Sequence, residues 1–189
     1  MSRTVILAST SPRRRTLLQK VVPHFMVCAP SLAREVLDPT LALPEALEKL
    51  ALEKAESVAT TYPEAIIIGA DTIVCKDGQL LGKPANAEEA SRMLEALSGR
   101  AHEVITAVAV LCKETGRVQT VHGTSRVTFR TLTAEDISGY IATGEPLDKA
   151  GAYGIQGEGG KFVTNLEGDF DNVVGLPTAL VAQLLEGVI

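Results

Sequence analysis

Apolar residues follow two different periods along this chain, and their alternation predicts interleaved strands and helices. Residues 4–9 form a short apolar run, and residues 65–74 form a longer one that is interrupted only by Gly69 and Asp71. A run of the second kind is typical of a strand buried on both faces in the middle of a sheet. Four further segments predict helices, which begin near residues 12, 44, 87 and 177.

The second half of the chain predicts a hairpin, a capped helix and a glycine-rich loop. Two long β-type segments between residues 102 and 130 meet at a turn around Gly116. Thr133 is a good N-cap for a short helix, with Asp136 three residues on. Residues 150–170 contain too many glycines for a regular element. Since helices alternate with strands but the central pair is a hairpin, we expect an α/β fold with a mixed central sheet.

The composition is that of an acidic globular protein. The 189 residues carry a formal net charge of −5, which excludes a general basic surface for nucleic acid. Cys28, Cys75 and Cys112 are too widely spaced to indicate a disulfide framework or a zinc site, so we expect small core residues in a reducing cytoplasm. No apolar segment approaches the ~20 residues that span a bilayer. We therefore expect a cytoplasmic protein without nucleic-acid or membrane partners.

Three consecutive arginines open the first predicted helix. Ser11 is a good N-cap and Pro12 suits the first helical position, which places Arg13, Arg14 and Arg15 in the first turn. Cations are disfavoured there by the helix dipole, so a negative group should offset them. The sequence leaves two explanations open: a phosphate-binding helix start with Arg14 facing the ligand, or a solvated basic patch.

Asp71 is the most unusual charged residue of the chain, because it interrupts the long apolar run. A carboxylate inside a buried strand is costly unless it is paired, hydrogen-bonded or bound to a metal. Gly69 and Ala70 precede it, and such small residues let a ligand approach the backbone. Asp71 is therefore a candidate base or metal ligand. The alternative is a structural aspartate that caps a neighbouring loop.

Three other charged residues indicate a functional site only when they are considered together. Glu35 falls in a turn-rich loop, Lys54 on the long second helix, and Lys83 in a tight Gly-Lys-Pro segment. Taken singly each reads as a surface residue, and Lys54 in particular suits the wet face of its helix. Together with Asp71 and Arg14 they supply the carboxylates and cations that phosphate-ester hydrolysis needs.

The glycine-rich loop around Gln156 is a weak nucleotide-binding signal on its own. Its spacing matches neither the P-loop pattern nor the dinucleotide-binding pattern of glycines. Tyr140 and Tyr153 are ordinary packing candidates.

Six segments, taken in chain order, are similar to those of Maf proteins. The resemblance runs from about residue 6 to residue 185 and is carried by "LASTSPRRRTLL", "IIGADTIV", "LGKP", "LSGRAHEVITAVAV", "LDKAGAYGIQGEGG" and "VVGLP". Maf proteins are septum-formation inhibitor homologues that act as nucleoside triphosphate pyrophosphatases. The resemblance implies hydrolysis between the α- and β-phosphates with a divalent metal, Mg²⁺ or Mn²⁺. It also implies one domain over residues 1–189, related to inosine triphosphate pyrophosphatases, with two lobes around a cleft and usually a homodimer.

The resemblance also implies roles for individual residues. Asp71 falls on the family's proposed proton acceptor, and Glu35 and Asp71 on its metal-binding carboxylates. Phosphate, metal and transition-state contacts fall on five positions: Ser9, Arg14, Glu35, Lys54 and Lys83. The family often has two adjacent acidic residues where this chain has Arg34-Glu35, which leaves Glu35 alone to match that site.

Three positions distinguish the substrate branches of the family. Arg13, Thr72 and Gln156 resemble the branch that hydrolyses dTTP and UTP, whereas the 7-methyl-GTP branch usually has tryptophan, glutamine and glutamate there. A neutral glutamine can pair with a pyrimidine edge, while a glutamate would suit a cationic methylated guanine. We expect a dTTP/UTP pyrophosphatase that also removes modified nucleotides. The alternatives are a 7-methyl-GTP or non-standard purine triphosphate pyrophosphatase, and a nucleotide-binding regulator of septum formation.

Overall fold

The computed structural model describes residues 3–186, which form strands and helices in alternation. The strands are β1 (Val5–Ala8), β2 (Met26–Cys28), β3 (Ile66–Lys76), β4 (Gln79–Leu81), β5 (Ala101–Cys112), β6 (Arg117–Phe129) and β7 (Val163–Glu167). The α-helices are α1 (Pro12–Leu18), α2 (Leu43–Ala59), α3 (Ala87–Leu97), α4 (Ala134–Ala142), α5 (Phe170–Val174) and α6 (Thr178–Leu185). Short 3₁₀ turns cover Glu145–Asp148, Ala150–Ala152 and Glu158–Phe162. In the described part of the chain, no helix combines the length and apolarity needed to cross a membrane.

The strands form one mixed sheet, as the alternation of helices with a hairpin predicts. Its order is β2-β1-β3-β5-β6-β7, and β4 pairs with β3 beside this path. β1 is parallel to both β2 and β3, whereas β4 is antiparallel to β3 and β7 is antiparallel to β6. The first five residues of β3 are buried, which confirms its predicted central position. The predicted α/β class is therefore correct.

The chain divides into two compact units. Of the described residues, unit 1 comprises 3–71, 106–123 and 175–186, and unit 2 comprises 72–105 and 124–174. Buried residues of unit 1 form a cluster of Ile6, Ala8, Ala55, Val58, Ala59, Ala65, Ile67 and Leu111. The core of unit 2 is built by the apolar face of α3 together with residues of α4 and an aromatic group. The single domain over residues 1–189 and its cleft stay predictions.

The predicted helix starts are confirmed. The Ser11 side chain accepts a hydrogen bond from the Arg14 backbone N–H, so Ser11 is the N-cap of α1. Thr133 and Asp136 form a complete capping box at the start of α4. The Arg130 guanidinium also donates to the Asp136 carboxylate and holds the pKa of that carboxyl well below its usual range. Asp136, in the first turn of α4, is therefore held both by the capping box and by Arg130.

The structure corrects the predictions for the glycine-rich segment and for the cysteines. The glycine-rich segment 150–170 contains a regular element, β7, because the backbone of Val163–Glu167 pairs with β6. The composition of a segment does not reveal whether its backbone pairs with a strand that is distant along the chain. The sequence predicts all three cysteines in the core, but of these Cys112 is buried, whereas Cys28 and Cys75 are half-buried.

A histidine lies inside the aromatic core of unit 2. His102 is 3% exposed, and its ring meets Phe129 and Tyr153 edge to face. His102 Nε2 and the Tyr153 hydroxyl are 2.8 Å apart. Burial, with a smaller contribution from the Lys76 charge, lowers the pKa of His102 to about 4. The imidazole is therefore neutral in the folded protein at neutral pH.

This burial predicts a loss of stability in acid. Between pH 6.5 and pH 4 the unfolded chain binds a proton at this histidine and the folded chain does not, so the free energy of unfolding falls as the pH falls. Over that window we expect His102 to account for a loss of about 3 kcal/mol. In urea unfolding between pH 7 and pH 4, the free energy of unfolding should depend less steeply on pH in His102→Gln than in the wild type. His24→Gln, at an exposed position, controls for the loss of a histidine as such. Equal slopes in wild type and His102→Gln would contradict the prediction.

Candidate active site

Unit 1 brings α2 unusually close to β3. Gly69 faces the helix at this point, and a Cβ atom there would lie 2.1 Å from the Ala51 carbonyl oxygen. Only glycine fits such a contact without displacing the helix backbone. The close approach places Lys54, one turn beyond Ala51, against the strand residue Asp71.

Lys54 joins the two carboxylates that the sequence analysis selected. Its Nζ donates to Asp71 Oδ1 and to Glu35 Oε2, both at 2.9 Å. The Lys54 side chain is 6% exposed, compared with 20% for Asp71 and 53% for Glu35. The expectation that Lys54 suits the wet face of its helix is wrong, because α2 turns this residue towards β3. Asp71 is only partly buried, and its partner is an ammonium group.

Arg14 adds a second cation in unit 1. Its Nε donates to the Gly175 carbonyl oxygen at 2.8 Å, which fixes the half-buried side chain. Desolvation lowers the pKa of the guanidinium, as does Arg13, while the carboxylates of Asp71 and Glu35 act in the opposite direction. An arginine remains charged at neutral pH despite such a shift. The site therefore sets two cations against two carboxylates.

Gly175 is a residue that the sequence analysis did not select. It precedes the Leu-Pro pair before α6, and its φ of 125° lies in the left-handed region that favours glycine. The signal was present in the motif "VVGLP". What the sequence could not show is that the carbonyl of this glycine accepts a hydrogen bond from a side chain 161 residues earlier.

The other candidates of unit 1 surround the start of α1. Ser9 is 5% exposed, and its Oγ accepts the Ser11 backbone N–H at 3.2 Å, so it shapes the turn into the helix. Arg13 is half-buried and Arg15 is exposed. No acidic residue lies in the first turn of this helix. The positive charge of the three arginines is therefore not offset within that turn, as the sequence predicts.

Three candidates belong to unit 2. Thr72 directly follows Asp71 on β3 and is half-buried, while Lys83 is exposed in the segment after β4. Gln156 is exposed in the glycine-rich loop before the last 3₁₀ turn. Their predicted roles in substrate contact stay predictions.

Glu35 and Asp71 fit a divalent cation only in part. Within residues 3–186, no group of three or more histidine, cysteine, aspartate or glutamate residues could hold a metal ion. The two carboxylates do converge on one positive charge, the Lys54 ammonium. Mg²⁺ is commonly bound through one or two carboxylates, with substrate phosphates and water completing its shell. The residues present therefore fit a metal that arrives with a phosphorylated substrate.

Comparison with known proteins identifies the family. A family model described as "Maf-like protein" matches residues 4–188, and the chain belongs to the Maf family. A Bacillus velezensis protein named dTTP/UTP pyrophosphatase is 47% identical over 186 residues, which cover 98% of this chain and 97% of that protein. A Moorella thermoacetica protein of the same name is 49% identical over 181 residues, covering 96% and 93%.

A solved structure shows a weaker similarity. The Ham1 protein of Staphylococcus aureus superposes with a TM-score of 0.44 at 12% identity, over 67% of this chain and 72% of that one. Similarity at this level does not establish a shared fold, so the predicted relation to inosine triphosphate pyrophosphatases stays a prediction.

The buried ion pairs of Lys54 predict a measurable stability effect. Lys54→Met keeps the length of the side chain but removes two charge-assisted hydrogen bonds and leaves two carboxylates facing each other. We expect the free energy of unfolding to fall by about 1–3 kcal/mol in urea unfolding at pH 7. Lys49→Met is the matched control, because Lys49 lies on the same helix and pairs with Asp38 at an exposed position. Its effect should be much smaller, since solvent screens exposed ion pairs. Equal effects of the two substitutions would contradict this account.

Proposed function

We propose that this chain hydrolyses nucleoside triphosphates, preferring dTTP and UTP, to a nucleoside monophosphate and pyrophosphate. The observation that carries the proposal is the Lys54 ammonium held between the carboxylates of Asp71 and Glu35, with Arg14 in the same unit. This arrangement offers a base and positive charge for attack on a phosphate. The names of the two relatives support the choice of dTTP and UTP.

Asp71 acts as the general base in this proposal. It takes a proton from a water molecule whose oxygen attacks the α-phosphorus. The bond from that phosphorus to the oxygen bridging to the β-phosphorus then breaks, and pyrophosphate leaves with the bonding electron pair. Lys54 fixes the Asp71 carboxylate, while Arg14 and Lys83 offset the negative charge that develops on the phosphates. Ser9 contacts the phosphates beside the start of α1.

A divalent metal, Mg²⁺ or Mn²⁺, is the cofactor of this proposal. Glu35 and Asp71 would hold it together with the triphosphate. When bound, the metal would neutralise part of the negative charge of the phosphates.

Substrate choice is assigned to Arg13, Thr72 and Gln156. The neutral amide of Gln156 can both donate to and accept from a pyrimidine edge. We further propose one domain over residues 1–189 that works in the cytoplasm as a homodimer, without nucleic-acid or membrane partners.

Asp71→Asn tests the catalytic role. The amide keeps the size of the side chain but cannot take the proton from water, so kcat should fall by about 10²–10⁴-fold. Circular dichroism should stay near the wild-type spectrum, and the thermal midpoint should fall only modestly, because the amide oxygen still accepts from Lys54 although the charge of this partner is lost. Asp38→Asn, at the exposed ion pair with Lys49, controls for the loss of a carboxylate. A wild-type rate in Asp71→Asn would refute the assignment.

A substrate panel tests the reaction itself. Pyrophosphate release would be measured from dTTP, UTP, CTP, GTP, 7-methyl-GTP and ITP, each with Mg²⁺, with Mn²⁺ and with a chelator. We expect release from dTTP and UTP that the chelator abolishes. Release chiefly from 7-methyl-GTP or ITP would replace the substrate assignment. Nucleotide binding without any release would favour the regulator of septum formation.

A further inference from the structure

The glycine-rich loop of unit 2 presents Gln156 on a single tight turn. The Gly157 backbone N–H donates to the Gly154 carbonyl oxygen at 3.2 Å, which closes a four-residue turn with Gln156 as its third residue. A second turn follows, because the Gly160 N–H donates to the Gly157 carbonyl at 3.1 Å. The position of Gln156 therefore depends on what holds the two ends of the first turn.

One tyrosine–glutamate pair holds both ends. The Tyr140 hydroxyl donates to Glu145 Oε1 at 2.9 Å and accepts the Gly154 N–H at 3.0 Å. The other carboxylate oxygen, Glu145 Oε2, accepts the Glu158 N–H at 3.1 Å. Gly154 begins the turn and Glu158 directly follows it. The backbone on each side of Gln156 is thus tied to the same two side chains.

The turn also packs directly on the carboxylate. A Cβ atom at Gly157 would lie 2.2 Å from Glu145 Oε1 and 2.5 Å from Oε2. Any side chain at this position would have to displace the Glu145 carboxylate or move the loop away from it. The glycine therefore provides close contact between the turn and its anchor.

The anchoring pair is itself fixed. Tyr140 is 4% exposed at the core-facing side of α4, and its ring meets the Phe162 ring edge to face with centroids 5.2 Å apart. Burial raises the pKa of the Tyr140 hydroxyl, so this group stays protonated and keeps donating to Glu145. The Glu145 backbone is held at both ends, by Thr143 Oγ1 at its N–H and by Lys149 Nζ at its carbonyl.

We propose that Tyr140 and Glu145 are positioning residues for base selection, acting through the turn that carries Gln156. The inference rests on the proposed function, in which Gln156 meets the nucleotide base. Neither side chain needs to touch the substrate. Their effect is to hold the Gln156 amide in one place, so that a base with the wrong hydrogen-bonding edge leaves that amide unpaired.

Tyr140→Phe is the primary test. It leaves the Gly154 N–H and Glu145 Oε1 without their shared partner while keeping the ring in the core. We expect KM for dTTP to rise about fivefold to thirtyfold, the range that corresponds to the loss of one hydrogen bond between Gln156 and the base. The kcat for dTTP should change less than about threefold, and the ratio of kcat/KM for dTTP to that for CTP should fall. A residue that only stabilises the fold would leave this ratio unchanged.

Glu145→Gln is the second variant, and it keeps the question answerable if Tyr140→Phe does not fold. Its amide can satisfy Tyr140 or Glu158 but presents a donor where the carboxylate accepts, so the dTTP-to-CTP ratio should fall here as well. Glu158→Gln is the matched control, because that side chain pairs with Lys161 at the exposed surface of the same loop. Tyr62→Phe, in unit 1, controls for the loss of a tyrosine hydroxyl. Both controls should keep wild-type KM and selectivity.

The outcomes separate this inference from the proposed function. A wild-type protein that releases no pyrophosphate refutes the proposed reaction. The positioning role is then tested by comparing the affinities of the wild type and the variants for α,β-methylene-dTTP, measured by calorimetry. If the wild type is active or binds the analogue, unchanged KM, affinity and selectivity in both Tyr140→Phe and Glu145→Gln overturn the positioning role. A raised KM or Kd with weakened dTTP-to-CTP discrimination in a variant that keeps its thermal midpoint supports it.

Discussion

The buried ammonium of Lys54 is the constraint on which the charged site of unit 1 depends. A charge that is removed from water costs several kcal/mol unless it is paired and hydrogen-bonded. Lys54 meets that demand with two carboxylates from separate segments, one on β3 and one in the loop before α2. The pairing is available only because Gly69 lets the helix backbone touch the strand. The lack of a side chain at Gly69 thus lets Lys54 meet both carboxylates.

Both carboxylates of this site have a cationic partner within the protein, the Lys54 ammonium. Asp71 and Glu35 would repel each other if they faced one another alone, and Lys54 removes that repulsion. Arg14 donates to the Gly175 carbonyl, so its guanidinium has a backbone partner in addition to the charges of the two carboxylates. A phosphorylated ligand therefore meets cations whose side chains are already ordered. Such preorganisation avoids part of the entropy cost of binding.

The features that sequence predicted well are those fixed by neighbouring residues. The Ser11 cap and the Thr133–Asp136 capping box each span only four residues of chain, and both form as the sequence predicts. The isolated carboxylate in the apolar run also pointed to Asp71. The face on which Lys54 lies was mispredicted, because it depends on how α2 packs against β3. The sequence indicates only a packing role for Tyr140, because Gly154, its hydrogen-bond partner in the glycine-rich loop, lies 14 residues further along the chain.

Glycine serves the same physical purpose in both units. At Gly69 it lets a helix approach a strand, and at Gly157 it lets a turn approach a carboxylate. A glycine-rich segment is often interpreted as a flexible loop, because glycine has the widest backbone freedom. Here the loop backbone is tied to Tyr140 and Glu145 at both sides of Gln156. The absence of side chains lets the backbone reach those anchors, so the glycines of this loop favour a fixed backbone position for Gln156.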